Sequence, residues 1–330
     1  MDNFTHSLTG WAIGQAGLKT KSRKGLAALI LGANMPDIDV LFGWVSWAPL
    51  AMRRGFTHGL VGGVLVMPPF LAGLLWLLDR WQQKRGATFA SGLPMHFGWL
   101  VLLSYVGAIT HPLLDLQNTY AVQLLSPLSE AWFHNDALFI IDVWVWTVLA
   151  FGIWLSRRRE KAGKRWRRPA QVALGVVVAY ISFNAAVGLV GKRDLAARGL
   201  SEGADVVFAG HQPFLFWKRE LIWRVNGRVG RASYDPISGV RNVEPAVPDN
   251  MDDPLVRRAR RANPEVIDFL RWSVLPIATV RQSRCRALVS FGDARFGEPR
   301  VSARFLRTVE LPLLGDNCLP AVAPALANGK

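Results

Sequence analysis

Apolar residues form long runs in the first 191 positions of this 330-residue chain and short patches thereafter. The runs cover roughly 26–47, 59–78, 97–114, 137–155 and 170–191. Each is about 18–23 residues, the length that crosses a hydrocarbon core of about 30 Å. A single buried helix of a soluble protein can be equally apolar. Five in succession, separated by basic loops, predict a membrane bundle. Residues 3–18 are shorter and only partly apolar (Phe4, Leu8, Trp11, Ile13, Leu18). Asp2 stands where a signal peptide carries basic residues, and the positive charges follow the segment. A short or re-entrant helix packed within the bundle is therefore predicted.

Beyond residue 191 the pattern changes. Leu221, Ile222, Trp223 and Val225 run into Asn226-Gly227, then Arg228-Val229. This reads as a hairpin, because Asn-Gly supplies the positive φ angles of a tight primed turn. Asn263-Pro264-Glu265 ahead of Val266, Ile267, Phe269 and Leu270 reads as a helix start. Cys285–Phe291 and Val301–Val309 read as strands, and the Pro/Ala-rich tail 319–330 as frayed. The predicted fold is an α-helical polytopic membrane bundle, about five spans plus the short N-terminal helix, over residues 1–191. A small extramembrane α+β domain follows over 192–330.

Composition supports this division. Hydrophobic residues make up 51% and charged residues 19%, against about 25% charged in soluble chains. That much apolar surface excludes disorder. Two cysteines, Cys285 and Cys318, are too few for a disulfide scaffold or a thiolate zinc cluster. The net charge of +15 invites a nucleic-acid reading, but the charge is placed otherwise. The loops at 19–24, 80–85 and 157–168 hold 15 basic residues, whereas the alternate loops at 48–56 and 115–136 hold 2, Arg53 and Arg54. Positive loops stay cytoplasmic. The N-terminus, the two poor loops and the domain after 191 are thus expected on the outer side. The run at 157–168 suits a cytoplasmic loop beside anionic lipid, and no nucleic-acid partner is expected.

Polar residues inside the apolar runs carry the candidate chemistry. Asp37 and Asp39 lie in Asn34-Met35-Pro36-Asp37-Ile38-Asp39. A charge at the bilayer centre costs about 2.5–3.5 kcal/mol on insertion scales, so two carboxylates need partners. Pro36 interrupts a helix there. His111 and Asp115 are four apart, a spacing that puts both on one helix face. His6, Arg54, His58, His111, Asp115 and Asp142 all fall near the outer ends of their segments. A His/carboxylate set without thiolates suits Zn, Mn or Fe, and more than one ion can fit. The bland readings are an interfacial histidine at a helix end and an intramembrane aspartate paired with Lys or Arg. His96 and His211 lack such context and read as residues outside any site; His134 lacks it too.

The opening Met1-Asp2-Asn3-Phe4-Thr5-His6-Ser7-Leu8-Thr9-Gly10 resembles that of the YdjM-like membrane-bound metal-dependent hydrolases. So do Asn34-Met35-Pro36-Asp37-Ile38-Asp39, Arg54-Gly55-Phe56-Thr57-His58-Gly59 and His111-Pro112-Leu113-Leu114-Asp115. The likeness continues through Asn118-Thr119-Tyr120 and Gln123-Leu124-Leu125-Ser126-Pro127 to Asp136 and Ile140-Ile141-Asp142. The ordered set over residues 1–142 is specific where each motif alone is weak. Two positions depart from it: Gly59, where Ser is expected, and Ala121, where Gly is expected.

The resemblance implies a multi-pass protein of the bacterial inner membrane with metal-dependent hydrolase activity. His6, Asp37, Asp39, His58, His111 and Asp115 are then the expected ligands of a divalent ion. Asp39 or Asp142 is the candidate general base, and Arg54 a group that neutralises charge on a phosphate. An outer-face site points to a phosphoester on a lipid or lipid-linked headgroup. The rival function is a proton- or ion-coupled transporter using the Asp/His cluster, since intramembrane carboxylates and histidines also build proton relays and a Pro-broken span resembles a discontinuous transport helix. No inverted repeat supports it. A membrane scaffold whose outer domain binds a partner leaves the His/Asp set unexplained. Cys285 and Cys318 are expected to pair if their domain lies in an oxidising compartment, the alternative being two buried thiols.

Overall fold

The computed structural model describes residues 1–42, 54–297 and 305–313, the side chains of 39–42 lying outside the description. Helix α1 (Asn3–Gln15) opens the chain, capped by Asp2, whose carboxylate accepts from the N–H groups of Phe4 and Thr5. Its inward face is buried, so the predicted short helix sits inside the bundle. Helix α2 (Gly25–Asn34) follows. The apolar stretch Leu60–Lys84 begins with a π-helical turn, Leu60–Val66, and continues as α3 (Met67–Lys84). Helices α4 (Phe97–Asp115), α5 (Val143–Lys161) and α6 (Arg167–Ala197) complete the membrane part.

Among the described residues, three helices are long and apolar enough to cross a bilayer: Leu60–Lys84, Phe97–Asp115 and Arg167–Ala197. The other two predicted spans take different forms. The first gives only the 10 residues of α2 before the chain tightens into a 3₁₀ stretch, Met35–Phe42. Pro36 offers no N–H to continue the helix, and the Asn34 amide turns back to the Ile30 carbonyl at 2.8 Å. The second starts late, because Asp142 caps α5, and ends in Arg157-Arg158-Arg159-Glu160-Lys161. Its apolar part, 143–156, is about 21 Å long at 1.5 Å per residue.

Small residues let α2 approach its neighbours. A Cβ on Gly10 of α1 would lie 2.6 Å from the Leu29 carbonyl oxygen, and one on Gly32 of α2 would lie 2.7 Å from the Ser104 carbonyl oxygen. Such close backbone approach is how helices associate where no hydrophobic force distinguishes protein from lipid. It draws together His6, one turn before Gly10, and His111, one turn after Gly107.

Helix α6 runs past residue 191 to Ala197 and becomes the cover of a four-stranded antiparallel meander. The meander comprises β1 (Val206–His211), β2 (Arg219–Val225), β3 (Arg228–Asp235) and β4 (Gly239–Pro248). Val187 and Leu195 pack on Leu221, Trp223, Ala232 and Tyr234 of its face. Beneath them Arg219, fully buried, donates through Nη2 to the Asn184 carbonyl at 2.7 Å and side chain at 2.9 Å. The predicted hairpin joins β2 to β3 through Asn226 (φ 49°) and Gly227 (φ 69°).

The second sheet, β5 (Pro276–Gln282), β6 (Arg286–Asp293) and β7 (Arg307–Pro312), is also antiparallel. It shares a core with α7 (Pro254–Ala259) and α8 (Pro264–Trp272), built on Phe269, Trp272, Val289 and Phe291. Asn263 caps α8 by accepting from the Glu265 N–H at 2.7 Å. Cys285 is disulfide-bonded; Cys318 and the tail 319–330 lie outside the described residues.

Candidate metal centre

Five of the sequence-predicted site residues with described side chains come from four different segments into one buried cluster. His6 comes from α1, Asp37 from the 3₁₀ stretch, His58 from the 3₁₀ turn Phe56–His58, and His111 and Asp115 from the end of α4. His58 Nε2 lies 3.2 Å from Asp37 Oδ1 and 3.6 Å from Asp115 Oδ2. His111 Nε2 lies 3.8 Å from Asp37 Oδ1 and 3.5 Å from Asp115 Oδ2. His6 Nε2 is 3.5 Å from Asp115 Oδ1, and its ring stacks on His111 at 3.9 Å between centroids.

The rings are aimed from behind. His111 Nδ1 is 2.7 Å from the Ala33 carbonyl, to which it donates as the N–H, leaving Nε2 as the lone-pair nitrogen. Thr57 Oγ1 lies 3.0 Å from His58 Nδ1. The helix break that spoils the first predicted span has a use here. It leaves the Ala33 carbonyl available to His111 and turns Asp37 toward His58.

Two overlapping sets of three have their donor atoms within 4.8 Å of one another: His6, His111 and Asp115, and Asp37, His58 and His111. Ligands of one ion with bonds of about 2.0–2.2 Å are spaced much as these donors are. The chemistry of the unpaired atoms agrees. His6 Nδ1 and Nε2, His111 Nε2 and Asp115 Oδ2 are buried without a hydrogen-bond partner. Burying a polar atom unpaired costs roughly 1–3 kcal/mol, so His111 Nε2, Asp115 Oδ2 and one of the His6 nitrogens, gathered here, fit a bound cation. The residues fit a divalent ion, with His111 common to both sets.

Arg54, buried at 7% exposure, stands on the flank. Its Nη2 is 3.4 Å from Asp115 Oδ1, and its Nη1 donates to Asn118 Oδ1 at 3.0 Å. Asn118 in turn lies 3.4 Å from Asp115 Oδ1 through its amide nitrogen. The Met1 amine also pairs with Asp115. Asn118 was singled out by motif and not by role; its spacing of three from Asp115 was the available signal.

Two of the predicted site residues have other standing. The Asp39 side chain lies outside the described residues. The structure does not bring Asp142 to the cluster. Its carboxylate accepts from the N–H groups of Trp144 (3.1 Å) and Val145 (3.2 Å) and from the Tyr180 hydroxyl (3.2 Å), the work of a helix cap. Outside the cluster, His134 pairs with Asp136 at 2.8 Å. His211 ends strand β1, opposite Arg219 of β2, where burial and the Arg219 guanidinium push its imidazole down to about 3.

Both departures from the expected motif have structural correlates. A Cβ at Gly59 would lie 2.5 Å from the Ser126 carbonyl oxygen, so a serine here would push against the 123–126 loop. Ala121 holds φ at 63°, the left-handed region that glycine enters without steric cost.

The second domain touches the loop that follows the cluster. Trp272 Nε1 donates to the Tyr120 carbonyl at 2.8 Å, and Arg295 Nη1 to the Thr119 carbonyl at 2.9 Å. The Tyr120 ring stacks on Phe296 at 5.3 Å. Residues 118–121 are therefore held from the helical part by Arg54 and from the C-terminal domain by Trp272 and Arg295.

A family model described as YdjM inner membrane protein matches residues 1–189. No curated protein and no solved structure matches the chain.

Proposed function

This chain belongs to the YdjM inner membrane protein family, and from that premise we propose that its membrane part is a metal-dependent hydrolase acting on a phosphoester or lipid-linked headgroup at the outer face. The observation that carries the reading is the convergence of unpartnered His6, His111 and Asp115 donor atoms on the Asp37/His58 pair. These five residues would hold a divalent cation, with Zn, Mn and Fe suited to the N/O donor set. Such an ion, when bound, lowers the pKa of water at the site and polarises a phosphoryl or acyl oxygen.

The chain's own groups supply the rest. Arg54 faces the cluster beside Asp115, where a guanidinium opposes charge gathering on a phosphoryl oxygen. Asn118 and the Ala121 carbonyl, 3.4 Å from Nη1, fix its plane. That favours a phosphoester over an amide. Asp37, less deeply buried than the other ligands (its side chain 18% exposed), stands at the open side, and Asp39 is the candidate proton acceptor. The loop clasping this region, through Gln123 N–H to Arg54 carbonyl (3.0 Å) and Leu60 N–H to Leu124 carbonyl (2.9 Å), exposes Leu125 and Leu128. Apolar side chains beside the site suit a substrate with a lipid tail. The split of basic residues between alternate loops supports an outer-face site.

The 3₁₀ break at Met35–Phe42 within an apolar stretch supports a second reading, an ion-coupled transporter. The test is metal analysis of purified protein together with hydrolysis of phosphomonoester, phosphodiester and lipid pyrophosphate substrates, with and without chelator. Bound divalent metal and chelator-sensitive hydrolysis lost in Asp39→Asn and Arg54→Gln support the hydrolase. Metal-free protein, or ion flux in liposomes without hydrolysis, overturns it.

A further inference from the structure

A second built feature lies at the other end of α1 and α5. The two helices run side by side in the same direction. Trp146 Nε1 donates to Thr5 Oγ1 at 2.8 Å near their starts, and Ser156 Oγ to Gln15 Oε1 at 3.1 Å near their ends. A groove of about 500 Å³ opens along them, floored by Leu8, Trp11, Ala150, Ile153 and Trp154. Arg157, Arg158 and Lys161 close one end of it. A second hollow of about 450 Å³ shares Trp11, Arg157 and Lys161 with the first and reaches Lys19.

The cations are set against the groove wall. The Arg157 guanidinium lies 5.3 Å from the Trp11 ring centroid and that of Arg158 5.6 Å from Trp154. Among the described residues neither arginine pairs with a carboxylate. Glu160, the acidic neighbour, is taken by Lys19 at 2.6 Å. Three positive charges thus stand at the mouth of a channel with an apolar floor, one turn beyond the apolar part of a short membrane helix.

We infer that this groove is a binding site for an anionic phospholipid, its acyl chain lying along Leu8, Ala150 and Trp154 and its phosphate held by Arg157, Arg158 and Lys161. Basic pockets at the ends of membrane helices bind acidic headgroups, and here the apolar floor runs directly into the basic end. A soluble anion would use the cations and leave the floor bare; a zwitterionic lipid would use the floor and gain less from the cations. The lipid also fits the shortness of α5, whose flanking arginines reach the headgroup level by extending along the chain. Its basic end lies at the opposite end of α1 from His6, and the site stands independently of the proposed hydrolase.

The experiment is native mass spectrometry of the full chain in detergent, titrated with phosphatidylglycerol, with phosphatidylcholine of the same acyl chains, and with inorganic phosphate. Phosphatidylglycerol is expected to bind at least about tenfold more tightly than phosphatidylcholine. The variant R157Q/R158Q/K161Q loses that preference, while K164Q/R165Q/R168Q on the same loop keeps it. Ala150→Trp fills the floor with every charge in place and weakens both lipids; it decides the matter should the triple variant fail to fold. Equal binding of the two lipids, an undiminished preference in the first triple variant, wild-type binding by Ala150→Trp, or competition by phosphate as strong as that by phosphatidylglycerol overturns the inference.

Discussion

Two buried polar clusters, one in each part of the chain, are built on opposite plans. In the C-terminal domain Asp293 and Arg295, both side chains fully buried, are saturated with partners. Asp293 Oδ2 accepts from Ser273 Oγ (2.6 Å), the Val274 N–H (3.0 Å) and Arg295 Nη2 (2.9 Å), and Oδ1 accepts from the Arg295 N–H and Nε, each at 2.9 Å. In the membrane part the His6, His111 and Asp115 cluster is as deeply buried and leaves four donor or acceptor atoms unsatisfied. The first plan is complete within the protein. The second gathers several unpaired ligand atoms in one place. Burial of charge alone does not separate a structural pair from a candidate site, nor do unmet partners alone, since both His211 nitrogens lack them too; several unpaired ligand atoms gathered in one cluster mark the candidate.

The sharpest way to break this contrast is His111→Ala, which removes the donor common to both ligand sets. Metal content by elemental analysis is expected to fall to background. Chelation of wild type is expected to lower its unfolding temperature, as removal of any ligand specific to the native state must. Unchanged metal content in the variant would mean the open valences are not ligands. The counterpart is Asp293→Ala, which strands Arg295 in the core. It is expected to destabilise the C-terminal domain by about 3–5 kcal/mol, read by denaturant unfolding, while metal content per folded molecule stays as in wild type.

That pair also sets a pH dependence. Burial pushes the Asp293 carboxyl up, but the Arg295 guanidinium and the surrounding donors outweigh it and hold the group below its ordinary range. Its contribution is therefore full above the unfolded value of about 3.9 and lost as pH falls through the lower folded value. Asp293→Asn should flatten that acid limb of the stability profile. A profile that loses stability between pH 8 and 5 would place the titrating group elsewhere.

Asn118→Ala probes the layer behind the ligands. It removes one acceptor of Arg54 and withdraws a neighbour from Asp115, and a cost of about 10–100-fold in metal affinity is expected, with ligand count unchanged. The smallest effect is expected from Ala121→Gly. Relief of the left-handed strain, offset by the greater freedom of glycine in the unfolded chain, should stabilise by up to about 1 kcal/mol. A clear loss of stability would show that the loop conformation at 121 is not the one described.

Much of this was legible in the chain. The His and Asp residues stood out because charge in an apolar run needs a reason. Asn226-Gly227 and Asn263-Pro264 announced local geometry that their own chemistry determines. What hid was of two kinds. Asp142 looked like an intramembrane carboxylate because composition does not show where a helix begins; once α5 starts at Val143, the same residue is its cap. The apolar run from 137 overstates the span for the same reason, its first six residues lying ahead of α5. The hold of Trp272 and Arg295 on Tyr120 and Thr119 joins residues more than 150 positions apart, and no periodicity encodes such a contact.

Helix α6 has 31 residues and is about 46 Å long at 1.5 Å per residue, well beyond a hydrocarbon core of about 30 Å. Its far end packs on the first sheet, and the C-terminal domain is tied a second time at Thr119 and Tyr120. A rod clamped at both ends has a fixed phase. Adding one residue to α6 between the bilayer and Gly191 turns everything beyond it by about 100° and lifts it by about 1.5 Å, carrying Trp272 and Arg295 off their carbonyls. The helix thus serves as a gauge whose length and rotation are set by a loop it never touches in sequence, and single-residue insertions within it should be tolerated far less well than insertions in the exposed turn at 199–203.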